Sequence, residues 1–149
     1  MNNQLKFNAI FPASVEELPN ICHLVCDAAR QSGMEDDNLW KLETSLDEAC
    51  TNIACYGYGD REDGKIWLQW ELRGDEFIVT IKDEGKPFDQ TKPTNPDFAS
   101  DICHRKAGGL GRYIMTRFLD GMDYFRENGK NTLILMKKLS AKKESSANV

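Results

Sequence analysis

The change in hydrophobic period near residue 60 restricts the fold of this chain more than any other sequence feature. Before it, apolar residues recur every three or four positions, which is typical of helices. After it, residues 65–73 and 76–83 alternate apolar and polar side chains on either side of a turn at Gly74. Two alternating runs joined by a short glycine-containing turn predict a β-hairpin. The chain therefore places helices and paired strands in separate stretches.

The remaining apolar patterns predict the order β-α-α-β-β-loop-α-β-β. The other predicted elements are a strand at 4–10, a helix after Ser14 that ends at Gly33, a helix after Asp36-Asp37-Asn38 that runs to about Tyr56, a helix from Gly109 or Gly111 to Leu119, and strands at 122–126 and 131–139. Residues 85–108 are predicted to form an irregular loop. This order indicates an α+β fold, a two-layer α/β sandwich with a mixed sheet and helices on one face.

The start of the first helix has two competing features. Ser14 and Glu17 have the spacing of a capping box, in which two side chains bond the free N–H groups of the first turn. Pro19 lies in the same segment and would remove a hydrogen bond inside a helix. We therefore expect either a distorted first turn or a helix that begins near Pro19.

Length and charge limit the class of protein. The chain has 149 residues, which is enough for one domain with its own core. We predict a single domain at 1–139 and a polar, disordered tail at 140–149. A net charge of −5 and a pI near 5.1 argue against a nucleic-acid-binding protein that works by neutralising phosphates. The sequence has neither a signal-peptide pattern nor an apolar run of membrane-spanning length.

Five cysteines, an odd number at irregular spacings, indicate reduced thiols in a cytoplasmic protein. Cys22, His23 and Cys26 resemble part of a metal cluster, but no second Cys/His pair completes four ligands. Both thiols share an apolar helical face, so they are predicted to be buried core residues. Cys50 and Cys55 suggest a redox pair, and here too ordinary core cysteines are expected.

The second predicted helix carries two polar residues beside its apolar stripe. At about 100° per residue, the stripe consists of Leu39, Leu42, Leu46, Ala49, Cys50 and Ile53. Glu48 and Asn52 lie together beyond the Ala49 edge. A carboxylate and an amide oxygen one turn apart suit Mg²⁺, which takes one or two protein oxygens and completes its shell with water and phosphates. The alternative is a solvated helix face.

A second candidate element, 83-DEGKPFD-89, directly follows an apolar strand. Asp83 closes that strand, and Gly85 allows the backbone to turn or to approach a ligand closely. Pro87 then stiffens the exit. A buried carboxylate in this position can accept a hydrogen bond from an exocyclic amine such as that of adenine. A plain turn is the alternative, because Asp, Gly and Pro are common turn residues.

A third candidate element is the glycine cluster in 107-AGGLGRYIM-115, at the start of the third predicted helix. Free N–H groups and the partial positive charge of a helix N-terminus favour an anion there. His104, Arg105 and Lys106 lie immediately upstream and could add cations. The segment lacks the Lys-Ser/Thr ending of a P-loop. A flexible helix entry is the alternative.

Taken together, these three elements resemble the N-box and the two glycine boxes of the GHKL superfamily. The similarity is greatest to the anti-sigma-factor serine/threonine kinases of the RsbW and SpoIIAB type, and it covers nearly the whole chain. Its specific part is Glu48-Ala49-x-x-Asn52, Asp83-x-Gly85-x-Pro87-Phe88 and Gly108-Gly109-Leu110-Gly111. The resemblance implies the histidine-kinase-like, or Bergerat, ATP-binding fold.

The resemblance also implies a role for each matching residue. Asn52 would ligate the Mg²⁺ of bound ATP, and Glu48 would be the general base that takes a proton from a substrate serine. Asp83 would bind the adenine amine, with Gly85 against the ring and Thr132 supporting that contact. Pro87 belongs to the same adenine-binding box.

The phosphate-binding residues come from the second glycine box. The set Gly108, Gly109, Leu110 and Gly111 would surround the phosphates, with Gly109 and Gly111 presenting backbone N–H groups. Residues 89–107 would form the ATP lid, in which either Arg105 or Lys106 would contact phosphate.

The function implied by the resemblance is an ATP-dependent kinase in a partner-switching module. Such a protein sequesters a sigma factor or another effector and phosphorylates a serine on a STAS-domain antagonist, with no direct contact to nucleic acid or membrane. Family members are often dimers, so a homodimer is also implied. One departure is Tyr56, where the family often has His. The alternatives are an interaction module gated by nucleotide without phosphotransfer, and the catalytic half of a split histidine kinase, against which the missing phosphoacceptor helices argue.

Overall fold

The computed structural model describes residues 6–59, 61–92 and 114–140. The strands are β1 (Lys6–Pro12), β2 (Lys65–Arg73), β3 (Glu76–Asp83), β4 (Gly121–Glu127) and β5 (Lys130–Lys138), and the helices are α1 (Leu18–Gln31) and α2 (Asp36–Asn52). A 3₁₀ turn at Val15–Glu17 precedes α1, and a π-helical turn at Ile53–Gly57 follows α2. Residues 114–118 are also helical. The predicted element order is therefore found in these ranges.

The five strands form one sheet in the order β1-β2-β3-β5-β4. Each neighbouring pair is antiparallel, so the prediction of a mixed sheet is wrong in that detail. The long connection after β3 does return the chain in the same direction in β4, as a crossover should. However, β5 folds back between these two strands and pairs antiparallel with both, which leaves no parallel neighbours in the described sheet.

One face of the sheet packs against the helices and forms the core. Alternate residues of β2 and β3 are buried, as the hairpin pattern predicted, and they share one cluster with α1 and α2. Trp70 lies in that cluster. Trp67 is only half-buried on the opposite face, where Lys130 Nζ lies 5.9 Å from the centre of its ring. The helices therefore cover one face, and the two-layer α+β prediction is confirmed.

α1 begins near Pro19, as one of the two expected arrangements, and not at a capping box. α1 begins at Leu18 with the proline in its first turn, and Ser14 makes no side-chain capping bond. Glu17 N instead donates to Ser14 O at 3.1 Å, and the Glu17 carboxylate accepts a bond from Asn20 Nδ2 at 3.2 Å. The capping-box prediction is wrong, because the intervening 3₁₀ turn uses these groups differently.

Candidate functional site

α2 crosses the sheet and brings its last turn to the end of β3. At its start, Glu35 N donates to Leu139 O at 2.8 Å and Asn38 Nδ2 donates to Lys138 O at 2.9 Å. The 17 residues of α2 extend about 25 Å at 1.5 Å per residue. The last turn of α2 meets the loop after β3, because Asn52 Nδ2 donates to Gln90 Oε1 at 3.0 Å.

Glu48 and Asn52 are both withdrawn from solvent at this end. Their exposed fractions are 7% and 8%, so the alternative of a solvated helix face is wrong. All six residues of the predicted apolar stripe are buried as well. A carboxylate and an amide rarely occupy such positions without hydrogen bonds or a ligand to offset desolvation. Their burial is therefore consistent with a site rather than with a water-facing surface.

The helix widens immediately after Asn52. The sequence predicted an α-helix to about Tyr56, but residues Ile53–Gly57 form a π-helical turn. Ile53 N, at the end of α2, donates to both Ala49 O and Cys50 O. Single π turns occur frequently at functional sites. Here the turn directs the backbone of Gly57 at the loop that follows β3.

That loop meets the π turn through a close backbone contact. Lys86 N donates to Gly57 O at 2.8 Å. Gly85 lies so near that a Cβ atom on it would be 2.3 Å from Gly57 O and 2.5 Å from Gly57 C. Gly85 is therefore needed for the approach of two backbones, in addition to its predicted place against adenine. Nearby, the rings of Tyr56 and Phe88 are 6.2 Å apart.

We expect Gly85→Ala to lower the free energy of unfolding by about 1–3 kcal/mol, the usual cost of overpacking. The added methyl group would meet backbone atoms of Gly57, which cannot rotate away as a side chain can. Gly57→Ala is the matched control, because its Cβ would come no nearer than 3.6 Å to Ile53 Cγ2. Urea unfolding of both variants gives the comparison. Equal losses would contradict this account of the contact.

Asp83 is the buried carboxylate at the end of β3, with 4% of its surface exposed. Its Oδ1 accepts bonds from Gly85 N at 2.8 Å and from Asn131 Nδ2 at 3.0 Å. Burial raises the pKa of Asp83, while these two bonds and the charge of Arg126 lower it in part. Both described hydrogen bonds end on Oδ1, so Oδ2 is the oxygen that remains for a donor such as an adenine amine.

Asn131 holds Asp83 in place and was not assigned this role from the sequence. Besides Asp83, its amide nitrogen donates to Lys86 O at 2.9 Å. Its oxygen accepts bonds from Tyr124 Oη at 2.5 Å and from Arg126 Nη1 at 3.1 Å. A signal was present, since Asn131 occupies an inward position of β5 that alternation predicts to be apolar.

The predicted supporting residue, Thr132, lies one position further along β5. The register pairs Asn131 with Asp83 and Thr132 with Lys82. Because adjacent strand residues point to opposite faces, Thr132 does not share the face of Asp83. The support for Asp83 therefore comes from Asn131, and this part of the sequence prediction is corrected.

Gln90 is the second polar residue that the sequence did not reveal. It is buried, with 4% of its surface exposed. Asn52 Nδ2 donates to Gln90 Oε1 at 3.0 Å, and Gln90 Nε2 donates to Ala49 O at 3.1 Å. Thirty-eight residues separate Asn52 from Gln90, so no local pattern could have indicated the contact.

The structure brings together only part of the predicted site. Glu48, Asn52, Asp83 and Gly85 lie around the junction of α2 and the loop after β3, and Pro87 is exposed in that loop. The predicted phosphate-binding residues lie outside the described residues: Arg105, Lys106, Gly108, Gly109, Leu110 and Gly111. Residues 114–118 continue the predicted third helix, and Leu119 N donates to Met115 O at 3.0 Å.

Of the four cysteines within the described residues, three follow the prediction and Cys55 does not. Cys22, Cys26 and Cys50 are buried free thiols. Burial raises the pKa of Cys22 and of Cys26 to about 12, and that of Cys50 well above its usual value, so these thiols are unreactive core residues. Cys55 is disulfide-bonded, which corrects the prediction that all five are reduced. It is only half-buried in the π turn, outside the helical stripe that encloses Cys50.

A family comparison identifies the class of protein that this fold and site define. Residues 11–137 match the family described as "Histidine kinase-like ATPase domain". Because the match covers most of the chain, the chain belongs to this family. The GHKL resemblance and the fold class inferred from the three motifs are thereby confirmed.

Individual relatives place the chain more closely. It is 28% identical over 102 residues to an anti-sigma F factor from Clostridium beijerinckii, a match that covers 68% of this chain and 71% of the relative. It is 26% identical over 134 residues to the serine-protein kinase RsbW from Bacillus cereus, covering 87% of this chain and 82% of the relative. The family resemblance stated from the sequence therefore extends to named RsbW-type relatives.

Solved structures support the fold. The RsbU and RsbW domains of a Mycobacterium tuberculosis protein give a TM-score of 0.65 at 14% identity, covering 93% of this chain but only 33% of that longer chain. A SiaB-SiaC complex from Pseudomonas aeruginosa gives 0.53 at 18% identity, covering 89% and 88%. At these identities the likeness concerns the fold alone. Among the described helices, none is both long and apolar enough to cross a membrane.

Proposed function

We propose that this chain is an ATP-dependent serine/threonine protein kinase that works in a partner-switching module. The observation that carries the proposal is the burial of Glu48, Asn52 and Asp83 at the end of the sheet where α2 and β3 finish. The relatives named serine-protein kinase and anti-sigma factor support the same function. The fold and these three polar residues together favour an enzyme over a purely structural domain.

The side chains at this junction fit a magnesium nucleotide. They supply oxygen atoms, which a hard cation such as Mg²⁺ prefers, and Asn52 alone would be a typical protein contribution, because the ion keeps water and phosphate oxygens. Asp83 offers its Oδ2 atom, because Gly85 N and Asn131 Nδ2 both donate to Oδ1. When bound, Mg²⁺ neutralises charge on the transferring phosphoryl group.

Each residue of this group then has one task. The amide oxygen of Asn52 would hold the cation, and Asp83 Oδ2 would accept a hydrogen bond from the adenine amine. The carboxylate of Glu48 would accept the proton of the substrate hydroxyl as that oxygen bonds to the γ-phosphorus and ADP departs. Because phosphoryl transfer depends mainly on placement and charge stabilisation, a single base beside a fixed nucleotide is sufficient.

The phosphates require a second group of residues, which the family resemblance supplies. Backbone N–H groups of Gly109 and Gly111, within the box from Gly108 to Gly111, would bind the phosphate oxygens at a helix start. Arg105 or Lys106 would add a positive charge from the lid. Such an arrangement provides local attraction for ATP in a protein whose net charge is −5.

The partners proposed for this chain are proteins. By similarity to its anti-sigma-factor relatives, it would sequester a sigma factor or another effector in the cytoplasm. Phosphorylation of a serine on a STAS-domain antagonist would release that antagonist and leave the effector bound. A homodimer is compatible with this scheme. The polar segment 140–149 is proposed to lie outside the catalytic domain, which would span 1–139.

The test is a transfer experiment with γ-³²P-labelled ATP, Mg²⁺ and a STAS-domain protein from the same genome. Label on a serine, located by mass spectrometry and absent when the substrate serine is changed to Ala, is the expected result. Tight ATP binding without label on any partner would favour the nucleotide-gated interaction module instead. If calorimetry detects no binding of ATP with Mg²⁺, both functions are ruled out.

A further inference from the structure

The amides of Asn52 and Gln90 form a chain whose direction is fixed at one end. Ala49 O can only accept a hydrogen bond, so the Gln90 group that meets it at 3.1 Å must be the NH₂ group. The Gln90 oxygen therefore faces Asn52. Since that oxygen also only accepts, Asn52 must present its own NH₂ group to it, at 3.0 Å.

The direction of these hydrogen bonds determines which atom of the Asn52 amide remains for a ligand. The NH₂ group of Asn52 donates its described hydrogen bond to Gln90 Oε1. The amide oxygen therefore points away from Gln90. A carboxamide without such a partner can rotate by half a turn at little cost, because its terminal torsion is broad and roughly two-fold. In the rotated state it would present hydrogens to a cation.

We propose that Gln90 is a positioning residue that fixes the Asn52 amide with its oxygen toward the metal ion. This inference rests on the proposed function, in which Asn52 is the magnesium ligand. Gln90 lies at the end of the described loop after β3, and its burial shields both hydrogen bonds from water. The loop that follows Asp83, the proposed adenine-binding residue at the end of β3, thus also orients the proposed metal ligand on α2. Metal ligands are commonly oriented by such partners, and losing one typically weakens metal affinity.

The direct test is Gln90→Met, which keeps the side-chain length and removes both hydrogen bonds. Calorimetry with ATP is done in EDTA and at increasing Mg²⁺ concentration. We expect the affinity for ATP in EDTA to stay within twofold of the unmodified protein. The enhancement of binding by Mg²⁺ should fall roughly tenfold, as expected for losing one oriented polar contact.

Gln31→Met is the matched control. Its amide donates to Asp27 at 3.0 Å on the exposed face of α1, so the same substitution removes a hydrogen bond away from the site. It should leave the Mg²⁺ enhancement unchanged. A loss of equal size in both variants would overturn the proposal, as would a Gln90→Met variant with the normal Mg²⁺ response.

A double-mutant cycle separates positioning from general loss of structure. If Gln90 acts through Asn52, adding Gln90→Met to Asn52→Ala should cause no further loss of the Mg²⁺ enhancement. Additive losses would overturn the inference. A protein that binds ATP with no Mg²⁺ enhancement even before substitution would instead contradict the proposed metal site, so the two failures are distinguishable.

NMR gives a measurement on the unmodified chain in case Gln90→Met does not fold. The side-chain NH₂ group of Asn52 should exchange slowly with water, because it is buried and bonded to Gln90. Its assigned signals should persist when Mg²⁺ and a non-hydrolysable ATP analogue are added, since the metal binds the opposite atom. Rapid exchange of these protons would overturn the proposal.

Discussion

Glu48→Gln is expected to reduce phosphoryl transfer by about 10²–10⁴-fold, the usual contribution of a positioned general base. The substitution keeps the size and polarity of a side chain that is only 7% exposed, but an amide oxygen is far too weak a base to take the hydroxyl proton. Binding of ATP with Mg²⁺ should stay within twofold, because the proposed metal and adenine contacts belong to Asn52 and Asp83. Single-turnover transfer and calorimetry measure the two quantities separately.

Glu43→Gln is the control for this experiment. It removes a carboxylate from the same helix at an exposed position, so it matches the change in net charge without entering the site. Phosphoryl transfer and the binding of ATP with Mg²⁺ should both be unaffected. If Glu48→Gln transfers phosphate as fast as the unmodified chain, Glu48 is not the base. If it fails to bind nucleotide, the burial of Glu48 has a structural role instead.

The overall architecture could be predicted because it depends on local periodicity. The alternation in β2 and β3 reflects a sheet with one buried face, and Gly74 marks the turn between them. The apolar stripe of α2 likewise predicted which residues of that helix are buried, because the stripe reflects a helix with one buried face. Contacts between neighbours in sequence leave a repeating pattern, which a single sequence displays directly.

Relationships between distant segments could not be predicted in this way. The insertion of β5 between β3 and β4 depends on how a connection of many residues returns, not on any local pattern. The contact of Gln90 with Asn52 spans 38 residues, and that of Asn131 with Asp83 spans 48. Such contacts involve polar residues whose types are ordinary for loops and strand ends, so they become visible only once the chain is folded.

The π turn at Ile53–Gly57 is a third feature that the sequence did not predict. Sequence spacing allowed helix 2 to continue to Tyr56, and Gly57 correctly marked where it stops. The π turn lies between two contacts with the loop after β3: Lys86 N donates to Gly57 O, and Gln90 Nε2 donates to Ala49 O. Helix propensity reflects only local preferences, so the sequence predicted where the helix stops but not the contacts that join its end to the loop after β3.

Asp83→Asn is expected to weaken binding of ATP about 10–100-fold, the cost of losing a hydrogen bond to a charged group. The substituted amide would keep an oxygen for Gly85 N and Asn131 Nδ2, the two donors that already hold Oδ1. Its NH₂ group would then take the place of Oδ2 and meet the adenine amine as a second donor. Calorimetry with ATP in EDTA isolates this contact from the metal.

The same variant should not be less stable at neutral pH, which separates loss of binding from loss of fold. Burial raises the pKa of Asp83 above 3.8 in the folded chain, so the ionised carboxylate costs stability at any pH above the folded pKa. That cost declines as the pH falls through the folded pKa and is absent below 3.8. Asp83→Asn should therefore unfold at the same or a higher temperature than the unmodified chain at pH 7, with the difference shrinking on acidification.

Asp75→Asn, in the exposed hairpin turn, is the control and should alter neither ATP affinity nor this pH dependence. A strongly destabilised Asp83→Asn would mean that its binding defect reflects damage to the fold.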